Sequence, residues 1–244
     1  MTLYIIGLGL WDEKDITVKG LEAVKKCETV YLESYTSQLG CKISDLEKFY
    51  GKKVILCERE FIESKTDVIV NDAKQKDIAL LIIGDPFGAT THIDYLITAK
   101  KKGVLVKIIH NASILNAIGE IGLELYKFGK TVSIPFNNKD MTSPVENIKK
   151  NLENNMHTLA LLDLDPKNNK FMQIKEAAEY MIGKGLDPEL SAIGIAGLGS
   201  EKPEIKAQKL QKMKTEEFSA VPQCIIIPGI ELHFKEEEAI SLYE

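Results

Sequence analysis

The sequence predicts an α/β protein built as two α/β domains, residues 1–110 and 111–244. Three observations carry that expectation. Apolar, strand-like runs alternate with helix-spaced segments through residue 110, the pattern of βαβ units around a mainly parallel sheet. Ile78-Ala79-Leu80-Leu81-Ile82-Ile83 is a continuous apolar run, as expected of a parallel strand buried on both faces. Beyond residue 110 the strands are separated by longer, irregular connections, which suits a mixed sheet. A length of 244 residues fits one large domain or two small ones.

The elements follow in order. Leu3-Tyr4-Ile5-Ile6 reads as a buried strand that ends in Gly7-Leu8-Gly9-Leu10. Residues 17–26 read as an amphipathic helix with Leu21, Val24 and Cys27 on one face. A strand at 29–32, a short helix at 43–50, a strand at 53–56 and helical spacing over 61–75 come next. The strand 78–83 stops at Gly84-Asp85-Pro86. A helix from about 91 to 102 and a strand at 104–109 close the first half. In the second half, 113–119 is helical but broken by Gly119 and Gly122. Strands are expected at 131–134, 157–164, 192–196 and 223–228, and helices at 145–154 and 171–181. Residues 135–144 read as a loop over a cleft or a linker. Glu236-Glu237-Glu238 reads as a solvated helix start.

Composition excludes several classes. The hydrophobic fraction is 44% and the charged fraction 27%, ordinary for a globular enzyme and wrong for a disordered or collagen-like chain. The formal net charge of -5 argues against a nucleic-acid-coating role. No apolar run approaches the roughly 20 residues of a membrane span. The chain opens directly on a strand, so no secretion signal is expected. Cys27, Cys41, Cys57 and Cys224 form no Cys-x-x-Cys pair, and His92, His110, His157 and His233 are scattered. No metal site is expected, and reduced, buried thiols in the cytosol are the simpler reading.

Two nucleotide motifs almost match and fail. Gly7-Leu8-Gly9 follows a strand, but the third glycine of a dinucleotide fingerprint is replaced by Asp12, among acids that would repel a pyrophosphate. Gly129-Lys130-Thr131 resembles the end of a P-loop, yet the required earlier glycine is Glu124 and a strand follows, not a helix.

What remains is a set of three strand ends followed by small residues: Gly7-Leu8-Gly9-Leu10, the loop 84–92, and His110-Asn111-Ala112-Ser113-Ile114. In open α/β sheets, ligands bind outside the carboxyl ends of strands, and small residues there expose backbone groups to them. Asp85 is a carboxylate in that crevice, suited to a cationic or hydroxyl-bearing ligand; as the residue before Pro86 it also suits a turn. Thr90 is equally a helix cap or a ligand contact.

Here a resemblance enters. Gly7-Leu8-Gly9-Leu10, Asp15-Ile16-Thr17-Val18-Lys19-Gly20-Leu21, Tyr31-Leu32-Glu33-Ser34-Tyr35-Thr36-Ser37, the loop 84–92, Ile109-His110-Asn111-Ala112-Ser113, Leu125-Tyr126-Lys127-Phe128-Gly129, Met156-His157-Thr158-Leu159 and Leu232-His233 together resemble the diphthine synthases of the tetrapyrrole-methylase superfamily. The likeness covers nearly the whole chain in correct order. It implies two α/β domains with an S-adenosylmethionine site in the cleft between them, S-adenosylhomocysteine as product, and a cytoplasmic homodimer. It implies cofactor contacts at Leu10, Asp85, Gly88, Ser113, Ile114, Leu162, Gln208 and His233. Leu162 also suits simple core packing. Gln208 stands where the family pattern has a small residue, so a contact there falls to backbone atoms.

The resemblance further implies translation elongation factor 2 as protein substrate. The acceptor is the amino group of a 3-amino-3-carboxypropyl chain on a modified histidine, with no direct nucleic-acid or membrane partner. In-line displacement at a sulfonium methyl expels a neutral leaving group, so positioning supplies much of the acceleration and no catalytic base is assigned. His92, Thr91 and Tyr35 are candidates for lining the acceptor side. The loop 84–92 and the segment 125–129 look like the eukaryotic form, which implies four methylations ending in a methyl ester. The alternatives are three methylations giving diphthine, another methyltransferase of the superfamily, and a silent S-adenosylmethionine-binding protein.

Overall fold

The computed structural model describes residues 1–64, 66–88 and 92–244, and at 61, 63 and 64 the backbone only. The chain divides into two compact units, Met1–Leu115 and Asn116–Glu244. The sequence placed the boundary five residues earlier, after 110. The difference has a physical reason: the Asn111 side chain donates to the Gly7 and Asp15 carbonyls at 3.0 and 2.9 Å, tying 111–115 to the first unit.

The first unit runs β1 (Thr2–Gly7), α1 (Val18–Lys26), β2 (Thr29–Glu33), α2 (Ile43–Tyr50), β3 (Ile55–Cys57), α3 (Arg59–Ser64), α4 (Thr66–Asp72), β4 (Ile78–Ile82), α5 (Ile93–Lys101) and β5 (Leu105–Ile109). A short helix α6 (Ile114–Ala117) crosses the boundary. The five strands form an all-parallel sheet in the order β3-β2-β4-β1-β5. Every residue of β4 is buried, as its unbroken apolar run requires. Helix α1 starts where the Thr17 hydroxyl accepts from the Gly20 N–H at 3.0 Å, and it buries Gly20, Ala23 and Val24.

Strand pleating sends alternate side chains to opposite faces. Ile6, Val30, Leu32, Ala79 and Leu81 pack with Val24, Cys27, Leu46 and Tyr50 of the α1–α2 side. Leu3, Ile5, Ile78, Leu80 and Ile82 pack with Ile69, Val70, Tyr95 and Ala99 of α4 and α5. The chain leaves β1 towards β2 on one side and leaves β4 towards β5 on the other. The strand order therefore reverses between β1 and β4, which opens a crevice at their carboxyl ends.

The second unit runs β6 (Val132–Ile134), α7 (Ser143–Glu153), β7 (Thr158–Leu162), β8 (Leu164–Asp165), β9 (Lys170–Phe171), α8 (Ile174–Gly183), β10 (Ser191–Ala196), β11 (Glu204–Lys209), α9 (Leu210–Met213), β12 (Gln223–Ile227) and α10 (Phe234–Ile240). Its main sheet has the order β11-β10-β12-β7-β6 and is antiparallel except for the parallel pair β6–β7. Val145, Ile148, Ile174, Ala177 and Met181 of its helices pack on Ile134, Ala160, Ile225 and Ile227 of the sheet.

One acid corrects the sequence reading. Glu237 and Glu238 are exposed, but Glu236 is completely buried. Its carboxylate accepts from the Glu124 N–H at 3.0 Å, the Lys127 ammonium at 2.9 Å, the His233 N–H at 2.9 Å and His157 Nε2 at 3.0 Å. His157 Nδ1 accepts from the Gly229 N–H at 2.9 Å, which fixes the proton on Nε2. One carboxylate thus ties the start of α10 to the turn before β6 and the start of β7. Burial pushes its pKa up, but the donors outweigh burial and hold it from 4.5 down to about 2.

Glu236→Ala removes the acceptor for four buried or half-buried donors, so it should cost on the order of 3 kcal/mol in denaturant unfolding. The depressed folded pKa means this stabilisation is complete above the unfolded carboxylate's value and is lost as pH falls from 4.5 towards 2. Acid unfolding curves of wild type and Glu236→Gln should therefore differ in slope in that window. Parallel curves would exclude this hub as an acid-sensitive element.

Candidate functional site

The crevice of the first unit is built around glycine. An added Cβ at Gly7 would lie 2.5 Å from the Gly84 carbonyl oxygen and 2.9 Å from Asn111 Cβ, so no side chain fits there. Gly9 and Gly84 both take the left-handed backbone region, at φ of 83° and 81°. They exchange two backbone hydrogen bonds, Gly84 N–H to the Gly9 carbonyl at 2.7 Å and Gly9 N–H to the Gly84 carbonyl at 3.3 Å. The loops after β1 and β4 are thereby zipped together beyond the sheet. Asn111, from the turn after β5, closes the third side through its bonds to the Gly7 and Asp15 carbonyls.

Asp15 occupies the backbone donors of the first glycine loop. One of its carboxylate oxygens accepts from the N–H groups of Leu10, Trp11 and Asp12 at 3.2, 2.7 and 3.3 Å. The donors that a phosphate would need are occupied by a protein carboxylate. The spacing between the glycine loop and the helix, read as a failed fingerprint, is filled by this internal clasp.

Asp85 is the organising acid of the second loop. Its Oδ1 accepts from the Phe87 N–H at 2.9 Å, and its Oδ2 meets His110 Nδ1 at 2.7 Å and the Asn111 N–H at 3.2 Å. Partial burial pushes its pKa up, but the Phe87, His110 and Asn111 bonds outweigh this and hold it below the usual carboxylate value. A carboxylate has about four acceptor positions. Among the described residues three are taken, which leaves an ionised Asp85 one, on Oδ1, for a hydroxyl or ammonium. Its place in the turn and its place in a ligand site are compatible.

Gly88 and Ser113 meet directly. A Cβ at Gly88 would lie 2.6 Å from Ser113 Oγ. Ser113 is buried, and its hydroxyl accepts from the Leu115 N–H at 3.0 Å, starting the turn that carries Ile114. By contrast, a Cβ at Gly84 would meet nothing nearer than the Ala112 carbonyl and Ser113 Cα, both at 3.9 Å; it is the left-handed backbone, not a lack of space, that favours glycine there. Leu10 and Ile114 are half-buried beside these loops. The first unit therefore brings Leu10, Asp85, Gly88, Ser113 and Ile114 to one rim.

In the second unit the expected residues are spread over the sheet. Leu162 ends β7 and packs into the core. Gln208 lies on β11 opposite Ala192, four residues along β10 from the row that contains Leu162. Strand spacing and rise put the two roughly 20 Å apart. The Gln208 amide rests 3.7 Å from the Met213 sulfur. His233 caps α10, where its Nδ1 accepts from the Lys235 N–H at 3.3 Å.

Of the acceptor-side candidates, Thr91 lies outside the described residues, as does Thr90. His92 is 2% exposed and packs 6.5 Å from the Tyr95 ring. Burial lowers its pKa to about 4, against the effect of the Pro86 carbonyl, so it is neutral at neutral pH. Tyr35 is half-buried beyond the end of β2. Asn111 and Asp15 are the residues whose roles the sequence did not signal; an amide or carboxylate bonding to backbone leaves no spacing pattern.

The comparisons with known proteins decide the family. The model for Tetrapyrrole (Corrin/Porphyrin) Methylases matches residues 2–214. The chain belongs to the tetrapyrrole methylase family. Within that family its relatives include the diphthine methyl ester synthase of Bos taurus, 43% identical and covering 99% of this chain and 94% of the relative. The diphthine methyl ester synthase of Schizosaccharomyces pombe is 41% identical, over 98% of this chain and 93% of the relative. A crystal structure of a diphthine synthase superposes with a TM-score of 0.94 at 39% identity, covering 100% of this chain and 96% of that one.

A tetrapyrrole methylase uses a methyl donor, and the rim of the first unit suits S-adenosylmethionine. It offers an acceptor position on an ionised Asp85, and small or apolar neighbours for an adenosyl group in Leu10, Gly88 and Ile114. The same clasp by Asp15 disfavours a phosphate-bearing cofactor.

Asp85→Ala should weaken S-adenosylmethionine binding about tenfold or more, the worth of one hydrogen bond to a charged group. Unchanged affinity by calorimetry would remove Asp85 from the site.

Proposed function

We propose that the protein transfers methyl groups from S-adenosylmethionine to the 3-amino-3-carboxypropyl-histidine of translation elongation factor 2, four times, giving diphthine methyl ester. The observation that carries this reading is the 43% identity to a diphthine methyl ester synthase across 99% of the chain. The rim of the first unit supports it, because its chemistry is that of a positioning site.

The bound cofactor supplies an electrophilic methyl group on a sulfonium whose departure leaves a neutral thioether. The protein's own residues then have three tasks. Asp85, with Leu10, Gly88, Ser113 and Ile114, holds the adenosyl part by one carboxylate oxygen and small or apolar neighbours. The Gly9–Gly84 zipper and the Asn111 clamp keep those loops rigid, so the geometry is set before binding. For the first three transfers the acceptor must arrive as a neutral amine in line with the methyl group; in the fourth, an oxygen of the acceptor's carboxylate takes that place and becomes the ester oxygen. His92, neutral and buried, imposes no positive charge against that amine. No strong acid is required, and water can carry the amine's proton away.

In this reading the protein acts in the cytoplasm as a homodimer. A monomer mass by light scattering across a wide concentration range would remove the dimer from it. Among the described residues no helix is long and apolar enough to cross a membrane.

The deciding experiment is intact-mass spectrometry of elongation factor 2 carrying the unmethylated group, incubated with the protein and S-adenosylmethionine. Four methyl-sized steps are expected, one of them reversed by mild base. Three base-stable steps would replace the methyl ester with diphthine as product. No step with cofactor binding intact would overturn the reading.

A further inference from the structure

His110 follows the last residue of β5, and its ring reaches Asp85, which lies just beyond the end of β4. Those two strands are not neighbours. The order β3-β2-β4-β1-β5 puts β1 between them, so their ends stand two strand spacings apart, roughly 10 Å. The 2.7 Å contact between His110 Nδ1 and Asp85 Oδ2 therefore bridges the loops on either side of β1.

That bridge closes a ring of three loops. The Gly9–Gly84 zipper joins the loop after β1 to the loop after β4. The Asn111 side chain joins the turn after β5 to the Gly7 and Asp15 carbonyls. The Asp85 carboxylate makes the third side, with His110 and the Asn111 N–H on Oδ2 and the Phe87 N–H on Oδ1. Partial burial raises the Asp85 pKa, yet these bonds hold it below the usual carboxylate value. An ionised carboxylate only accepts, so the bridging proton sits on His110 Nδ1. The imidazole is steadied from a second direction by Phe87, whose ring centroid lies 6.3 Å away at an interplanar angle of 62°.

The bridge is poorly placed to stabilise the fold. The His110 side chain is 68% exposed, and pairs open to solvent contribute little. What it supplies is orientation. Without His110, Oδ2 keeps the 3.2 Å bond to the Asn111 N–H, and the plane of the carboxylate is less tightly held. The direction of the acceptor position on Oδ1 depends on that plane.

We propose that His110 is a positioning residue for the methyl donor: its Nδ1–H fixes the Asp85 carboxylate so that Oδ1 is already aligned to meet a hydroxyl or ammonium of S-adenosylmethionine. The assignment rests on the cofactor reading within the proposed function and deepens it. Fixing the carboxylate before the ligand arrives removes an ordering cost from binding while adding little to the stability of the free protein.

The test is calorimetric binding of S-adenosylmethionine and S-adenosylhomocysteine to wild type, His110→Ala, His110→Phe, His110→Asn, Asp85→Ala and the double variant Asp85→Ala/His110→Ala, with thermal unfolding of each. His110→Ala should weaken binding about fivefold, with Tm within about 2 °C of wild type. His110→Phe keeps a ring against Phe87 without the donor and should lose as much. His110→Asn puts an amide N–H near the place of Nδ1–H and should recover most of the loss. In the Asp85→Ala background, removing His110 should cost less than about twofold more, because the partner through which it acts is gone. Unchanged affinity in His110→Ala or in Asp85→Ala would overturn the assignment. So would recovery by Phe rather than Asn, additive losses in the double variant, or a fall in Tm that tracks the lost affinity. A wild-type protein that binds S-adenosylmethionine yet methylates no elongation factor 2 would overturn the proposed function and leave this assignment standing. A wild-type protein that does not bind S-adenosylmethionine would overturn both.

Discussion

The pair of backbone hydrogen bonds between Gly9 and Gly84 is the constraint on which the site depends. It joins the two loops on either side of the point where strand order reverses. Gly7 has no room for a Cβ, because the Gly84 carbonyl and Asn111 occupy that space. The zipper, the Asn111 clamp and the Asp15 clasp together fix which polar groups of these loops are engaged within the protein and which are not. Ligand preference follows from that division. The N–H groups after Gly9 are consumed by Asp15 and the Gly84 backbone by Gly9, while an acceptor position of Asp85 remains available.

The two units use polar side chains in the same way. In each, a buried carboxylate gathers several donors: Glu33 at the end of β2 from the turn that follows it, and Glu236 at the start of α10 from segments distant in sequence. Their protonation tendencies differ for a physical reason. Around Glu33, burial outweighs the donors and raises the pKa, whereas the donors around Glu236 outweigh burial and lower it. Glu236 is therefore a firmly ionised structural hub, whereas at Glu33, which supports the turn that carries Tyr35, burial works against the charged form.

Much of this was legible in the sequence where burial leaves a pattern. The apolar run of β4, the capped helix α1 and the glycines at 7, 9, 84 and 88 all announced themselves through hydropathy or residue type. Strand β11 did not. Its sequence, Glu204-Ile205-Lys206-Ala207-Gln208-Lys209, buries only Ala207, because it is an edge strand with little apolar periodicity. Glu236 was misread because a run of three acids looks solvated, and one of them turns inward to meet donors distant in sequence. Asn111 and Asp15 act on backbone groups up to 104 residues away, and no local spacing encodes such partners. The split between Leu162 and Gln208 depends on strand register, which likewise emerges only on folding.

The most direct test of the central claim is a crystal structure of the protein with S-adenosylhomocysteine bound. The account predicts ligand density beside Leu10 and Gly88, a hydroxyl or ammonium on Asp85 Oδ1, and both the Gly9–Gly84 zipper and the Asp15 clasp unbroken. A ligand bound away from this rim, or one that displaces Asp15 from the Leu10, Trp11 and Asp12 N–H groups, would contradict it.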